Sequence, residues 1–301
     1  MIPFLGEADI RSTLDWSELI PAMEAALVAF STGHVVQPMR QWLAIEERDG
    51  YLGVMPAVGD EAMGIKLVTL YPRNAGTPVP SVMAIVVLFR TETGEPLALL
   101  DGRLITEMRT AAVSAAVTNK VAAPDSHVLA LLGSGVQAQG HLQALSRVRA
   151  FNDIRVWSPT AENAKRFADR FGGRAMDAEL AVRGADVVVT ATHARAPILK
   201  GEWLKPGAHV NAVGAPMPTW RELDDQVMAH TLIVDSREAV AHEAGDVILS
   251  KATVFAEAGE ILAGIRACPA GATTVFKSVG LAIEDVATAK LVFDRWSRQP
   301  A

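Results

Sequence analysis

The spacing of apolar positions changes period twice along this 301-residue chain. Positions 14–30 carry Leu19, Met23, Ala26 and Phe30 on one helical stripe. Strand-like segments follow at 40–46, 51–57, 63–71, 81–90 and 96–101, parted by turn residues such as Pro72-Arg73-Asn74-Ala75-Gly76. Five strands after one helix predict a largely antiparallel or mixed sheet. Helical period returns over 104–121. Strands are then predicted near 127–132, 153–157, 173–176, 185–191, 208–213 and 231–234, with helices between most of them. That alternation is the pattern of a doubly wound parallel sheet. At the end, Ala282, Val286, Ala289, Phe293 and Trp296 form one apolar stripe. Its bulk requires a partner surface, on the N-terminal region or on a second subunit.

The junction of the first parallel strand with its helix is the most specific local signal. The apolar run Val128-Leu129-Ala130-Leu131-Leu132 ends in Gly133-Ser134-Gly135, and Ala138 stands at the third small position. This is the G-x-G-x-x-G/A turn of a dinucleotide-binding βαβ unit. One glycine permits the tight turn and the next lets the backbone approach a pyrophosphate. Small Ala138 allows the helix to pack closely, so that its N–H groups and dipole face the phosphates. The second strand ends in Ser158-Pro159-Thr160, where NAD-preferring folds place an acid for the ribose hydroxyl. Two hydroxyls and no carboxylate there favour NADPH, with NADH as the alternative. Lys165 and Arg166 on the next helix suit a 2′-phosphate or a solvated face equally.

Composition removes several function classes. Half of the residues are apolar, about one in five is charged and the net charge is −6, which predicts a well-packed α/β protein with no nucleic-acid partner. The single cysteine, Cys268, excludes an intrachain disulfide and agrees with a reducing compartment. The first residues lack a secretory signal, and the longest apolar run, 82–89, is too short for a membrane span. A soluble cytoplasmic protein is expected. The seven histidines show no metal-ligand spacing, and no nucleophile elbow is present.

Three cations stand out in the first half. Arg109 has Ile105, Ala112, Val113 and Ala116 around it at helical spacing. A charge on an apolar stripe is expensive unless paired, so Arg109 is either a structural partner of an acid or a clamp for a small anion. Lys66 lies mid-strand in Gly64-Ile65-Lys66-Leu67-Val68, and periodicity leaves both a solvent-facing and a functional reading open. Arg40 alone would pass as a surface residue. Together the three would suit a small carboxylate.

The chain resembles the ornithine cyclodeaminase/mu-crystallin family over nearly its full length. The resemblance rests on Gly64-Ile65-Lys66-Leu67-Val68, Thr93-Gly94-Glu95-Pro96-Leu97-Ala98, Met108-Arg109-Thr110-Ala111-Ala112 and Gly133-Ser134-Gly135-Val136-Gln137-Ala138. It rests also on Asn211-Ala212-Val213-Gly214 and Thr274-Val275-Phe276-Lys277-Ser278-Val279-Gly280. It implies a Rossmann domain over 116–280 set into a discontinuous α+β domain for substrate binding and dimerisation, formed by 1–115 and 281–301. By resemblance Arg40, Lys66 and Arg109 match the cations that hold a substrate carboxylate. Ser81, Arg109, Thr110, Gly133, Ser134, Gly135, Val136, Gln137, Ser158, Thr160, Val213 and Ser278 match positions at the cofactor. A homodimer and no metal are implied.

One departure selects a branch. Cyclodeaminases of this family carry an acid/base aspartate six residues before a Glu-Leu pair, here Glu222-Leu223; that position is Pro216. A proline moves no proton, so ornithine cyclodeamination by the family mechanism is disfavoured. The stretches 214–225 and 244–250 look like the mu-crystallin branch, whose enzymes are similar to ketimine reductases. Reduction of a cyclic 2-imino acid, Δ1-pyrroline-2-carboxylate or Δ1-piperideine-2-carboxylate, to L-proline or L-pipecolate is therefore expected. The alternatives are reductive amination of a 2-oxo acid, as in the family's alanine dehydrogenases, and NADPH-dependent ligand binding without catalysis.

Overall fold

A computed structural model describes residues 1–74 and 76–298 and contains two sheets, one in each of two units. Position 75 of the predicted turn and positions 299–301 of the predicted C-terminal segment lie outside the described residues. The first unit is Met1–Arg109 with Leu281–Ala301, and the second is Thr110–Gly280.

The first unit opens with β1 (Phe4–Leu5), α1 (Glu7–Thr13) and α2 (Trp16–Ser31). The strands β2 (Gln41–Ile45), β3 (Gly50–Val58), β4 (Met63–Leu70), β5 (Val82–Phe89) and β6 (Pro96–Asp101) follow as an antiparallel meander. β1 adds to β6 in parallel, making the mixed sheet β1-β6-β5-β4-β3-β2. β1, two residues long, is not among the strands expected from the sequence. α2 starts at Trp16 because the side chain of Asp15 accepts from Ser17 N at 2.8 Å. α3 (Gly102–Val121) then leads into the second unit.

In the second unit the elements are β7 (Val128–Leu132), α4 (Val136–Leu145), β8 (Asp153–Trp157), α5 (Ala161–Phe171), β9 (Arg174–Ala175), α6 (Ala178–Val182) and β10 (Val187–Thr190). They continue through β11 (His209–Ala212), α7 (Asp225–Met228), β12 (Thr231–Val234), α8 (Arg237–Glu243), α9 (Gly245–Ser250), β13 (Val254–Glu257), α10 (Ala258–Leu262) and β14 (Thr274–Lys277). The sheet order is β13-β12-β14-β11-β10-β7-β8-β9, and each pairing is parallel. Chain progression reverses direction between β7 and β10, so the glycine turn after β7 lies at the topological switch point where such sheets bind ligands. β13 and β14 were not foreseen as strands. β14 is only four residues long and ends in Lys277, yet it sits between β11 and β12 in the interior of the sheet.

The chain returns to the first unit through α11 (Ala282–Trp296). Its apolar stripe packs on α2 and on the β3–β5 face of the mixed sheet, which supplies the partner surface its bulk requires. Gly64 lets β4 lie close to both β5 and α11. A Cβ there would meet Val87 O at 2.6 Å and Val286 at 3.1 Å. Among the described residues no helix is long and apolar enough to cross a membrane.

Candidate active site

In the first unit two of the three predicted cations, Lys66 and Arg109, converge on α11. Strand alternation sends Lys66, with Gly64, Val68 and Leu70, to the buried face of β4. There Lys66 Nζ donates to Asp285 Oδ2 at 2.5 Å. Arg109 donates from Nε to the other oxygen, Asp285 Oδ1, at 3.0 Å, and from Nη1 to Glu284 Oε2 at 2.6 Å. Both acids are 0 % exposed, Lys66 is 2 % and Arg109 is 5 %. The solvent-facing reading of Lys66 is thereby excluded. Arg109 is paired with acids, as its structural reading required, within a cluster that also contains the other two cations.

The electrostatics follow from that burial. Desolvation pushes the Lys66 ammonium down to about 8; Asp285 opposes the shift, while Arg109 and Arg40 add to it. Burial would raise the Asp285 carboxyl, but Arg109 and Lys66 outweigh it and hold the group below its ordinary value. Half-buried Arg40, just before β2, is thus close enough to act on Lys66. Both acids lie in the first turn of α11, where the helix dipole favours negative charge. Gln37 fixes that helix end by accepting from Ile283 N at 2.9 Å. The pairs set two cations, Lys66 and Arg109, against two carboxylates, Asp285 and Glu284, and gather all four groups in one buried cluster. Sequence reasoning missed Glu284 and Asp285. The available signal was two adjacent acids inside the apolar run 281–292.

In the second unit the turn has the form a dinucleotide needs. Gly133 has φ +135°, and a Cβ there would meet Ala191 O, after β10, at 2.6 Å. A Cβ at Gly135 would meet nothing within 4 Å, so the backbone is open where α4 begins. Gly135 and Val136 are exposed, while Ser134 and Gln137 are half-buried. Behind the turn, His141 Nε2 is 2.9 Å from Ser114 Oγ and Nδ1 is 2.7 Å from Gln137 O. Burial lowers His141 to about 4 and keeps it neutral, so it ties α4 to α3 without adding charge.

The remaining predicted positions fall as follows. Ser134 Oγ donates to Ser158 Oγ at 3.0 Å, joining the glycine turn to the end of β8. Exposed Thr160 is the N-cap residue of α5. Lys165 pairs with Asp169 at 2.6 Å, and Arg166 donates to Asn163, so both serve helix neighbours. Val213 follows β11, its N–H donating to Thr190 O at 3.0 Å. Ser278 follows β14 and gives its hydroxyl to Asp235 Oδ2 at 2.9 Å. Thr110 is buried in α3, and Ser81 immediately precedes β5 in the first unit.

A second buried network, also missed from sequence, shapes the loops after β10 and β11. Glu222 accepts from Thr190 Oγ1 at 2.8 Å, Thr192 N at 2.6 Å, Thr192 Oγ1 at 2.7 Å and Gly214 N at 3.0 Å. Burial raises its carboxyl, with Asp246 adding, against the pull of Lys277 and the threonine hydroxyls. Lys277 Nζ bridges Asp246 Oδ2 at 2.9 Å and Gly214 O at 2.5 Å. Pro216 lies in the loop so held, half-buried, where it can neither give nor take a proton.

A switch-point glycine turn in one unit and a buried cation–carboxylate cluster in the other define a two-unit protein with a Rossmann-type parallel sheet. The chain belongs to the ornithine cyclodeaminase/mu-crystallin family, whose sequence profile matches residues 3–299. It is 47% identical over 304 residues to the ketimine reductase mu-crystallin of Mus musculus, covering 98% of this chain and 97% of that one. The solved Δ1-pyrroline-2-carboxylate reductase of Thermococcus litoralis, in complex with NADH and L-proline, superposes with a TM-score of 0.93 at 35% identity, over 98% of this chain and 97% of that one. An archaeal alanine dehydrogenase dimer with bound NAD superposes with a TM-score of 0.92 at 31% identity, over 98% and 95% of the two chains.

Proposed function

We propose that this protein reduces a cyclic 2-imino acid, Δ1-pyrroline-2-carboxylate or Δ1-piperideine-2-carboxylate, to L-proline or L-pipecolate. The buried cluster at Lys66, Arg109 and Asp285 carries the reading, because it places an ammonium and a guanidinium, both donors suited to a small carboxylate, side by side in the first unit. Arg40 and Arg109 hold that carboxylate and so fix the orientation of the ring. Lys66 gives its proton to the imine nitrogen as the C=N bond is reduced. An ammonium near pH 8 is matched to such a transfer at neutral pH. Reduction requires no acid at position 216, whose loss separates this chain from cyclodeaminases.

A nicotinamide cofactor, when bound, supplies the hydride. The residues to hold it are those of the open turn, with Gly133, Ser134, Gly135, Val136 and Gln137 toward the pyrophosphate. Ser81, Thr110, Val213 and Ser278 are assigned to it by resemblance. Ser158 and Thr160 replace an acid at the end of β8, which supports NADPH over NADH. The next acid along the chain, Glu162, is exposed in the first turn of α5.

The active form is a homodimer. The mixed sheet supports this, since its face away from α11 exposes Leu43, Leu67, Met83 and Ile85. Leu67 and Ile85 are direct cross-strand partners, so the apolar face is continuous between β4 and β5.

The test is oxidation of NADPH and of NADH by purified protein with each imine. Turnover of an imine with NADPH preferred is expected. Pyruvate with ammonia as the better substrate would move the assignment to reductive amination. Ammonia release from ornithine would move it to cyclodeamination, and tight NADPH binding without turnover would make the protein a binder.

A further inference from the structure

Lys66 meets opposed demands in the first unit. It must hold a proton to give, yet it is buried and lies within the field of two guanidinium groups. The charged groups around it are Asp285 from α11, Arg109 from α3 and Arg40 from the segment before β2; Glu284 engages Arg109. Among these the carboxylate that touches Lys66 Nζ is Asp285, and it does so with one oxygen while Arg109 takes the other. That division fixes the ammonium and the guanidinium relative to each other.

Building on the imine-reductase reading, we propose that Asp285 is a positioning residue that holds the Lys66 ammonium in place and keeps it charged between turnovers. In the reduction an N–H bond breaks at Lys66 and another forms at the imine nitrogen, while the substrate carbon receives the hydride. Lys66 is left as a neutral amine and is reprotonated from water, with Asp285 remaining a carboxylate throughout. Asp285 opposes the repulsion of Arg40 and Arg109, which would otherwise delay that reprotonation. A merely structural acid would tie elements together without setting the charge of Lys66.

Asp285→Asn keeps the size of the side chain and removes its charge. The alkaline limb of kcat/KM should then move to lower pH by about one unit or more, the effect of losing an opposite charge at hydrogen-bond distance. Asp285→Glu should leave the limb in place and lower kcat, because charge is kept while position is lost. A limb unmoved in Asp285→Asn, or an unchanged kcat in Asp285→Glu, would overturn the proposal. If Asp285→Asn does not fold, the Glu variant alone decides by its kcat. Titration of the Lys66 13Cε resonance in cofactor-free protein, assigned with Lys66→Arg, reads the same ionisation without turnover. A wild type that reduces neither imine would defeat the functional reading, and the titration would still decide whether Asp285 sets the charge of Lys66.

Discussion

Lys66 Nζ lies 2.5 Å from Asp285 Oδ2 although 219 positions separate the two residues in the chain. The contact joins the middle of β4 to the first turn of α11. It places an ammonium of lowered proton affinity beside a carboxylate that stays ionised.

Activity and stability should respond oppositely to alkaline pH through Lys66. With its folded-state value near 8, the donor form is lost above that pH and imine reduction should fall. The unfolded chain holds the same proton up to about 10.5 and so binds more protons between those values. The contribution of Lys66 to stability therefore rises across the window in which activity falls. Denaturation of wild type and Lys66→Met over pH 7–11 isolates that contribution, and a wild-type rate that stays flat to pH 10 would remove Lys66 as donor.

Arg109→Lys keeps a charge and loses the planar fork. A fall in kcat/KM of roughly 10- to 100-fold is expected, the worth of one charge-assisted hydrogen bond of about 1.5–3 kcal/mol. Arg109→Ala should raise KM and lower kcat further. It should also lower Tm, since it strips Glu284 and Asp285 of a buried cation. Steady-state kinetics beside thermal melting separates the two effects.

The two turn glycines should fail in different ways. Gly133→Ala forces a side chain into positive φ and against Ala191 O, so the variant should be destabilised even without cofactor. Gly135→Ala meets no neighbour in the protein, so Tm should hold while KM for NADPH rises, because the methyl fills the phosphate approach. Equal Tm losses in both variants would contradict this division.

Lys277→Met leaves Asp246 buried without its cation. Breaking such a pair costs about 3–5 kcal/mol, to be read as a lowered midpoint in urea. NADPH binding should weaken as well, because Gly214 and its loop lose the Lys277 anchor. Calorimetric titration with NADPH below the unfolding midpoint tests the second effect.

Much of the fold was legible because period reports facing. The meander strands, the βα alternation and the C-terminal stripe each repeat often enough to be read, whereas β1, β13 and β14 went unread. The resemblance named Arg40, Lys66 and Arg109, but their residue types alone left Lys66 open between solvent and site.

The sequence by itself determined the glycine turn, the acid-free end of β8, the loss of the aspartate at Pro216 and the branch of the family these select. Only the tertiary structure decided that Glu284 and Asp285 pair with Arg109 and Lys66, and that Glu222, Asp246 and Lys277 hold the loops beyond β10 and β11. The physical reason is range. Periodicity and turn chemistry act over a few residues, whereas the partner of a buried charge is chosen by chain closure over tens to hundreds of positions.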